Sequence, residues 1–174
     1  MKWYEPSLPN DIQPIPWLSP ASIDFLSDLI RPDWNVLEHG SGGSTLWFAG
    51  LVAHVTSVEG DPRWHEEITR RELINVRSIL LKSHDKLPVL KGPFDLLLID
   101  GEPLDDRILF LKAAIRLVRP GGWVVLDNYN HPEFLQERMV ITKQADRTQK
   151  IDTSFGLFLN TEFIHLKMVQ GVIN

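Results

Sequence analysis

The chain has no cysteine among its 174 residues. Disulfides, a thiolate metal site and a cysteine nucleophile are therefore excluded. No apolar stretch approaches the roughly 20 residues that span a bilayer, so no membrane partner is expected. Met1 is followed by polar, proline-rich sequence rather than by a basic segment and an apolar run, so no signal peptide is expected either. The missing disulfides agree with a cytoplasmic protein. Positive charge is scarce: the net charge is −5 and there is no dense basic stripe, which disfavours sequence-independent binding of nucleic acid. What is present is 43% hydrophobic and 24% charged residues, in a length that suits one ordinary domain with its own core.

Residues 1–19 stand apart. Pro6, Pro9, Pro14 and Pro16, with Trp3, Tyr4 and Trp17, make an irregular segment with aromatic anchors. It either wraps the domain or covers an active site. Residues 20–174 read as a single domain with no repeat, low complexity or linker. Ser19-Pro20 predicts an N-cap followed by proline at the first helical position. Ile23, Leu26 and Ile30 form the helix stripe, and Arg31-Pro32 stops it. Strands are then expected at Trp34–Glu38, His54–Glu59, Val76–Leu81, Phe94–Asp100 and Trp123–Asp127. Helices are expected at Ser44–Leu51, from Asp61-Pro62, along the stripe Leu104, Ile108, Leu111, Ile115 and Val118, and briefly from His131-Pro132. Arg119-Pro120-Gly121-Gly122 reads as a turn, and Met139–Lys143 and Ser154–Asn160 as two last strands joined by polar Gln144–Thr153. Such alternation predicts a parallel sheet with helices on both faces, whose ligands bind beyond the carboxyl ends of the strands.

Every one of the five main strands delivers a carboxylate near that edge: Glu38, Glu59, Asp85 beside His84, Asp100 and Asp127. Charge scattered at random would reach both edges, so five together point to a binding crevice. Between the first strand and its helix stand Gly40, Ser41, Gly42, Gly43 and Ser44. Free N–H groups at the helix start favour a negative group, while Glu38 favours a positive one; a ligand carrying both an ammonium and a carboxylate suits the pair. Glu59 lies at the end of the second strand, the place and spacing at which an acid binds the hydroxyls of an adenosine ribose. The dinucleotide fingerprint GxGxxG fails at its third glycine, where Thr45 stands.

With these residues in order, the sequence resembles the class I S-adenosylmethionine-dependent methyltransferases over roughly residues 20–160. LEHGSGGST resembles their first motif and SVEGD their second, with Glu59 as the ribose-binding acid and Gly60 beside it. LLLIDG and LVRPGGWVVLDN resemble their fourth and fifth strands, most of all in the small-molecule O-methyltransferase branches. The resemblance implies a Rossmann-like, doubly wound, mostly parallel seven-stranded sheet whose last strand is antiparallel. It implies S-adenosylmethionine as cofactor, with Glu38 facing its amino acid part, Gly40, Ser41, Gly42 and Ser44 in the loop beneath, and Asp85 or His84 at the adenine. Asp100 would lie beside the methionine part or the substrate. In metal-dependent members an Asp after strand four and an Asp-Asn pair after strand five hold magnesium; Asp100, Asp127 and Asn128 occupy the matching positions.

Methyl transfer from a sulfonium needs an oriented acceptor and a destination for its proton. Catechol-type members carry a lysine base three residues after the first Asp, where this chain has Pro103. That leaves another group, of which His131 is the candidate, or the metal itself. As plain structure, Asp100 and Asp127 cap strands, Asn128 makes a turn, and His131 caps a helix. His39, His54, His65 and His165 show no ligand spacing. The expected activity is methylation of a small molecule, at oxygen. The competing readings are an NAD(P)-dependent oxidoreductase, weakened by Thr45 and by the lack of a Tyr-x-x-x-Lys pair, and a non-catalytic protein that kept the fold. No large insertion covers the substrate, so the N-terminal segment or the partner in a homodimer would have to do so.

Overall fold

A computed structural model describes residues 12–81, 90–152 and 160–168. The chain enters helix α1 (Pro20–Leu29), capped by the Ser19 hydroxyl, which accepts from the Ser22 amide at 3.1 Å. It then alternates through β1 (Asn35–His39), α2 (Gly43–Ala49), β2 (His54–Glu59), α3 (Pro62–Thr69), β3 (Val76–Leu80), β4 (Phe94–Ile99), α4 (Leu104–Ala114) and β5 (Val118–Asp127). Helix α5 (Leu135–Thr142) and strands β6 (Ala145–Ile151) and β7 (Thr161–Leu166) complete it.

The seven strands run in the order β3-β2-β1-β4-β5-β7-β6. Only β7 is antiparallel to β5, and β6 pairs antiparallel with β7 at the sheet edge. The order reverses between β1 and β4, which places the binding crevice there. Alternate residues of the central strands feed two cores. Leu37, Leu97, Ile99, Val124 and Phe110 pack on one face, and Val36, Leu96, Leu98, Phe48 and Leu26 on the other. Strands buried on both faces read as continuous apolar runs, as Phe94–Ile99 does.

The C-terminal third departs from the expected elements. Met139–Lys143 is not a strand: residues through Thr142 belong to α5, whose inward positions, Arg138 and Ile141, follow the buried Phe134 just before it at helical spacing. Arg138 faces inward because it bonds Glu162 of β7 at 2.6 Å, while Met139 and Val140 are exposed. The polar stretch expected to be a loop forms β6, which tolerates polar residues because it is an edge strand. Of the strand expected at Ser154–Asn160, residues 154–159 lie outside the described residues, and Asn160 precedes β7. The Arg119–Gly122 turn is a bulge inside β5: Phe94 pairs with Val118 and Leu96 with Trp123, and Arg119 Nε bonds Asp95 at 2.5 Å.

Residues 12–19 pack against the domain. Ile12 and Leu18 are buried, and the chain passes so close to the start of α2 that a Cβ at Gly43 would lie 2.1 Å from the Ile15 carbonyl oxygen and 2.8 Å from that of Gln13. Gly43→Ala is therefore expected to displace this segment and lower stability by about 1–3 kcal/mol, the usual cost of overpacking. Urea denaturation would measure the loss, and faster hydrogen exchange over residues 12–19 would locate it.

Candidate functional site

Three glycines in the β1–α2 loop serve different ends. Gly40 has φ +95°, and a Cβ there would meet Gly101 Cα at 2.7 Å; the two glycines let the ends of β1 and β4 close together. Gly43 makes room for the N-terminal segment. Only Gly42 faces a side chain, the Trp64 ring at 3.5 Å, and a Cβ at Gly60, past β2, would meet nothing within 4 Å. The backbone is thus open at Gly60, while Gly42 is covered by the Trp64 ring. Trp17 stands edge-on to Trp64 with ring centroids 5.9 Å apart, and remains 60% exposed.

Glu59 is buried at the end of β2 and accepts from the Ser41 amide and the Asp61 amide, each at 2.7 Å. Burial raises its pKa and these backbone bonds pull it back. The Gly60 amide also bonds this carboxylate, which has about four acceptor directions in all and so retains one for a ligand hydroxyl. Ser41 Oγ lies 2.6 Å from Ser57 Oγ.

Glu38 has no exposed surface. Its carboxyl accepts from Ser44 Oγ at 2.9 Å and from Thr45 Oγ1, and Thr45 Oγ1 in turn accepts from the Gly42 amide at 2.9 Å. The acid ties down the glycine loop, and Ser44 serves it. Burial outweighs these bonds and raises the Glu38 pKa to about 7. A raised pKa means the folded protein binds this proton more tightly than the unfolded chain. Stability from that proton is whole below about pH 4.5 and is lost as pH rises to about 7, some 3 kcal/mol in all. Glu38→Gln should remove this share of the decline and leave that of Glu59, Asp100 and Asp127, whose burial raises them as well. Denaturant titrations at several pH values should show the variant gaining on the wild type between these limits and keeping a constant lead above them.

Asp100 and Asp127, at the ends of adjacent strands β4 and β5, hydrogen-bond to each other. Burial and mutual repulsion push Asp127 up, and burial pushes Asp100 up against the pull of Arg107. Two such carboxyls side by side hold a proton between them. Arg107 of α4 is the residue that sequence reasoning missed. It is 2% exposed, and it donates to the Gly101 carbonyl at 2.6 Å, the Asp127 carbonyl at 3.2 Å and Glu102 Oε1 at 2.7 Å, with Asp100 Oδ1 3.6 Å away. A signal for it exists: Arg107, Phe110, Leu111 and Ala114 form the buried stripe of α4, rotated from the all-apolar stripe expected. Asn128 follows β5 with φ +53°, and His131 heads the 3-10 turn Pro132–Phe134, its amide bonded to the Asn128 carbonyl at 3.0 Å. His84 and Asp85 lie outside the described residues.

The site thus gathers Glu38, the glycine loop, Glu59, Asp100 and Asp127 at the carboxyl edge of the sheet, around the β1–β4 switch point, and this is the Rossmann-like architecture of methyltransferases. The chain belongs to the methyltransferase domain family, whose model matches residues 37–129. A catechol O-methyltransferase from Mycobacterium tuberculosis is 36% identical over 105 residues, 53% of this chain and 47% of that protein. The chain thus spans about half the length of the curated relative it matches. Among solved structures, an rRNA methylase from Streptococcus thermophilus superposes with a TM-score of 0.62 at 14% identity, covering 86% of this chain and 95% of that one. A Streptococcus mutans protein assigned as a methyltransferase and solved in complex with SAH superposes with a TM-score of 0.60 at 15% identity, covering 84% and 96%. Both show the fold and leave the acceptor open. No helix among the described residues is long and apolar enough to cross a membrane.

Proposed function

We propose that the protein transfers the methyl group of S-adenosylmethionine to an oxygen of a small molecule. The observation that carries this reading is the convergence, around one switch point, of a buried carboxylate at the end of β2, Glu59, and an acidic pair at neighbouring strand ends, Asp100 and Asp127. The name of the Mycobacterium tuberculosis relative supports oxygen as the acceptor atom. In this reading Glu38 faces the cofactor's ammonium through the loop it anchors, and Gly40, Ser41, Gly42, Ser44 and Gly60 line the bed. His84 or Asp85 receives the adenine.

The acceptor oxygen attacks the methyl carbon in line. A C–O bond forms, the C–S bond breaks with its electrons passing to sulfur, and S-adenosylhomocysteine leaves. The acceptor's proton goes to the ionised member of the Asp100–Asp127 pair or to His131. Arg107 holds the two strand ends that carry this pair at a fixed separation through the Gly101 and Asp127 carbonyls.

Asp100, Asp127 and Asn128 are the residues that would hold magnesium. They fit in kind: all offer oxygen, and the two carboxyls repel each other unless a proton or a cation lies between them. Among the described residues no group of three or more His, Cys, Asp or Glu gathers, so water and substrate would complete the shell. When bound, the ion acidifies and orients the acceptor hydroxyl. The N-terminal segment or the second subunit of a homodimer would cover the acceptor.

Calorimetry with S-adenosylmethionine, S-adenosylhomocysteine and NAD tests the cofactor. Methyl transfer to catechol, with magnesium and with a chelator, tests the chemistry. Micromolar binding of the first two and turnover that needs magnesium is the expected result. Binding of NAD alone would replace this reading by the oxidoreductase, and cofactor binding without transfer to any acceptor in a broad panel would leave a binding protein.

A further inference from the structure

Behind the acidic pair runs a chain of buried hydroxyls that the proposed reaction does not use. Thr161 is the cross-strand partner of Asp127 in the β5–β7 ladder. Its Oγ1 donates to Asp127 Oδ1 at 3.4 Å and accepts from Ser22 Oγ of α1 at 3.0 Å. Ser22 Oγ lies 2.8 Å from Ser19 Oγ. Ser22 and Thr161 have no exposed surface and Ser19 is 4% exposed.

With Asp127 Oδ1 as the acceptor, the chain has one direction. Each hydroxyl has one proton to give. Thr161 receives the Ser22 proton and spends its own on Asp127; Ser22 has thus used its proton and accepts from Ser19. All three O–H bonds point toward the carboxyl. A buried hydroxyl without partners is costly, and apolar residues would fill these positions between α1 and β7 with less constraint. What the hydroxyls add is a fixed orientation for one oxygen of Asp127. The other groups that meet this residue are the Asp100 carboxyl, the Asn128 amide and Arg107.

We propose that Thr161, backed by Ser22 and Ser19, is a positioning residue that orients the Asp127 carboxyl for methyl transfer. The functional half of this proposal rests on the methyltransferase reading above. It also links the site to the N-terminal segment, because Ser19 is both the cap of α1 and the residue that follows the stretch packed on Gly43.

The test compares Thr161→Val, which keeps the shape and removes the hydroxyl, with Thr161→Ser, which restores it, and with Ser22→Ala. In protein labelled with carboxyl-13C aspartate, the Asp127 signal is assigned by its loss in Asp127→Asn. At one fixed pH, that signal should shift in Thr161→Val, return in Thr161→Ser, and move less in Ser22→Ala. Turnover with catechol should fall at least about tenfold in Thr161→Val, as misplacement of a reacting group does. The KM for S-adenosylmethionine and the affinity for S-adenosylhomocysteine should hold, with Thr161→Ser within about threefold of wild type. An unmoved Asp127 signal in folded Thr161→Val overturns the proposal, and so does an equal loss of turnover in the serine and valine variants. Failure of S-adenosylhomocysteine to bind wild type would instead strike the methyltransferase reading, and the carboxyl signal would still decide the relay.

Discussion

Glu59→Ala is expected to weaken S-adenosylhomocysteine binding by about a hundredfold or more. A carboxylate that bonds a ribose hydroxyl makes a charge-assisted hydrogen bond worth about 1.5–3 kcal/mol, and each 1.4 kcal/mol is about tenfold in affinity. The loss should exceed the ribose contact alone, because the same carboxylate receives the Ser41 and Asp61 amides at 2.7 Å and so shapes the loop on which the ligand lies. Glu59→Gln should bind more weakly than wild type, since its amide NH2 would face one of those N–H donors. Calorimetry on both variants, with circular dichroism to confirm folding, measures the effect. Unchanged affinity in a folded Glu59→Ala protein would remove the ribose role and, with it, the strongest support for an adenosyl cofactor.

Arg107→Met should destabilise the protein by about 3–5 kcal/mol, the range for breaking a buried charged network by removing one partner. The side chain is nearly the size of arginine's stem, so packing changes little and the loss isolates the guanidinium. Without it the Gly101 and Asp127 carbonyls lose their donor, and the Asp100–Asp127 pair loses the nearby positive charge that pulls both carboxyls down. Arg107→Lys keeps the charge but cannot reach three acceptors from one planar fork, so it should fall between the two. Urea denaturation gives the answer. A loss under about 1 kcal/mol in Arg107→Met would mean that solvent satisfies these groups and that Arg107 does not hold the strand ends together.

The reading of the N-terminal two thirds and that of the C-terminal third differ for a physical reason. Central parallel strands are apolar on both faces, so Phe94–Ile99 announces itself without reference to any neighbour. Caps and prolines are equally local, and Ser19-Pro20 and Asp61-Pro62 start helices as read. His131-Pro132 likewise opens the helical stretch that leads into α5, but the reach of α5 to Thr142 and the strand character of β6 have no such signal. Met139, Val140 and Ile141 look like a strand, but they lie in the last turns of α5, on which Arg138 turns inward to a buried Glu162 on β7. Strand β6 is polar because, among the described residues, its one neighbour is β7, a fact of sheet order that no local window contains.

The candidate site divides along the same line. Order along the chain determined the carboxylates at the strand ends, the glycine loop and Glu59 at its spacing, because a parallel sheet brings every strand's carboxyl end to one edge whatever the details of packing. Tertiary structure alone decided what those groups meet. It showed that Gly40 lets β1 close on Gly101 and that Gly43 makes room for the N-terminal segment, two internal contacts that require glycine in their own right. It turned Glu38 into a buried anchor for Ser44 and Thr45. It placed an arginine from the helix stripe beneath the acidic pair and a threonine from the last strand behind it. Side-chain partners separated by tens of residues are chosen by packing in three dimensions. A chain read one residue at a time records which groups arrive at the edge, and leaves their pairing to the fold.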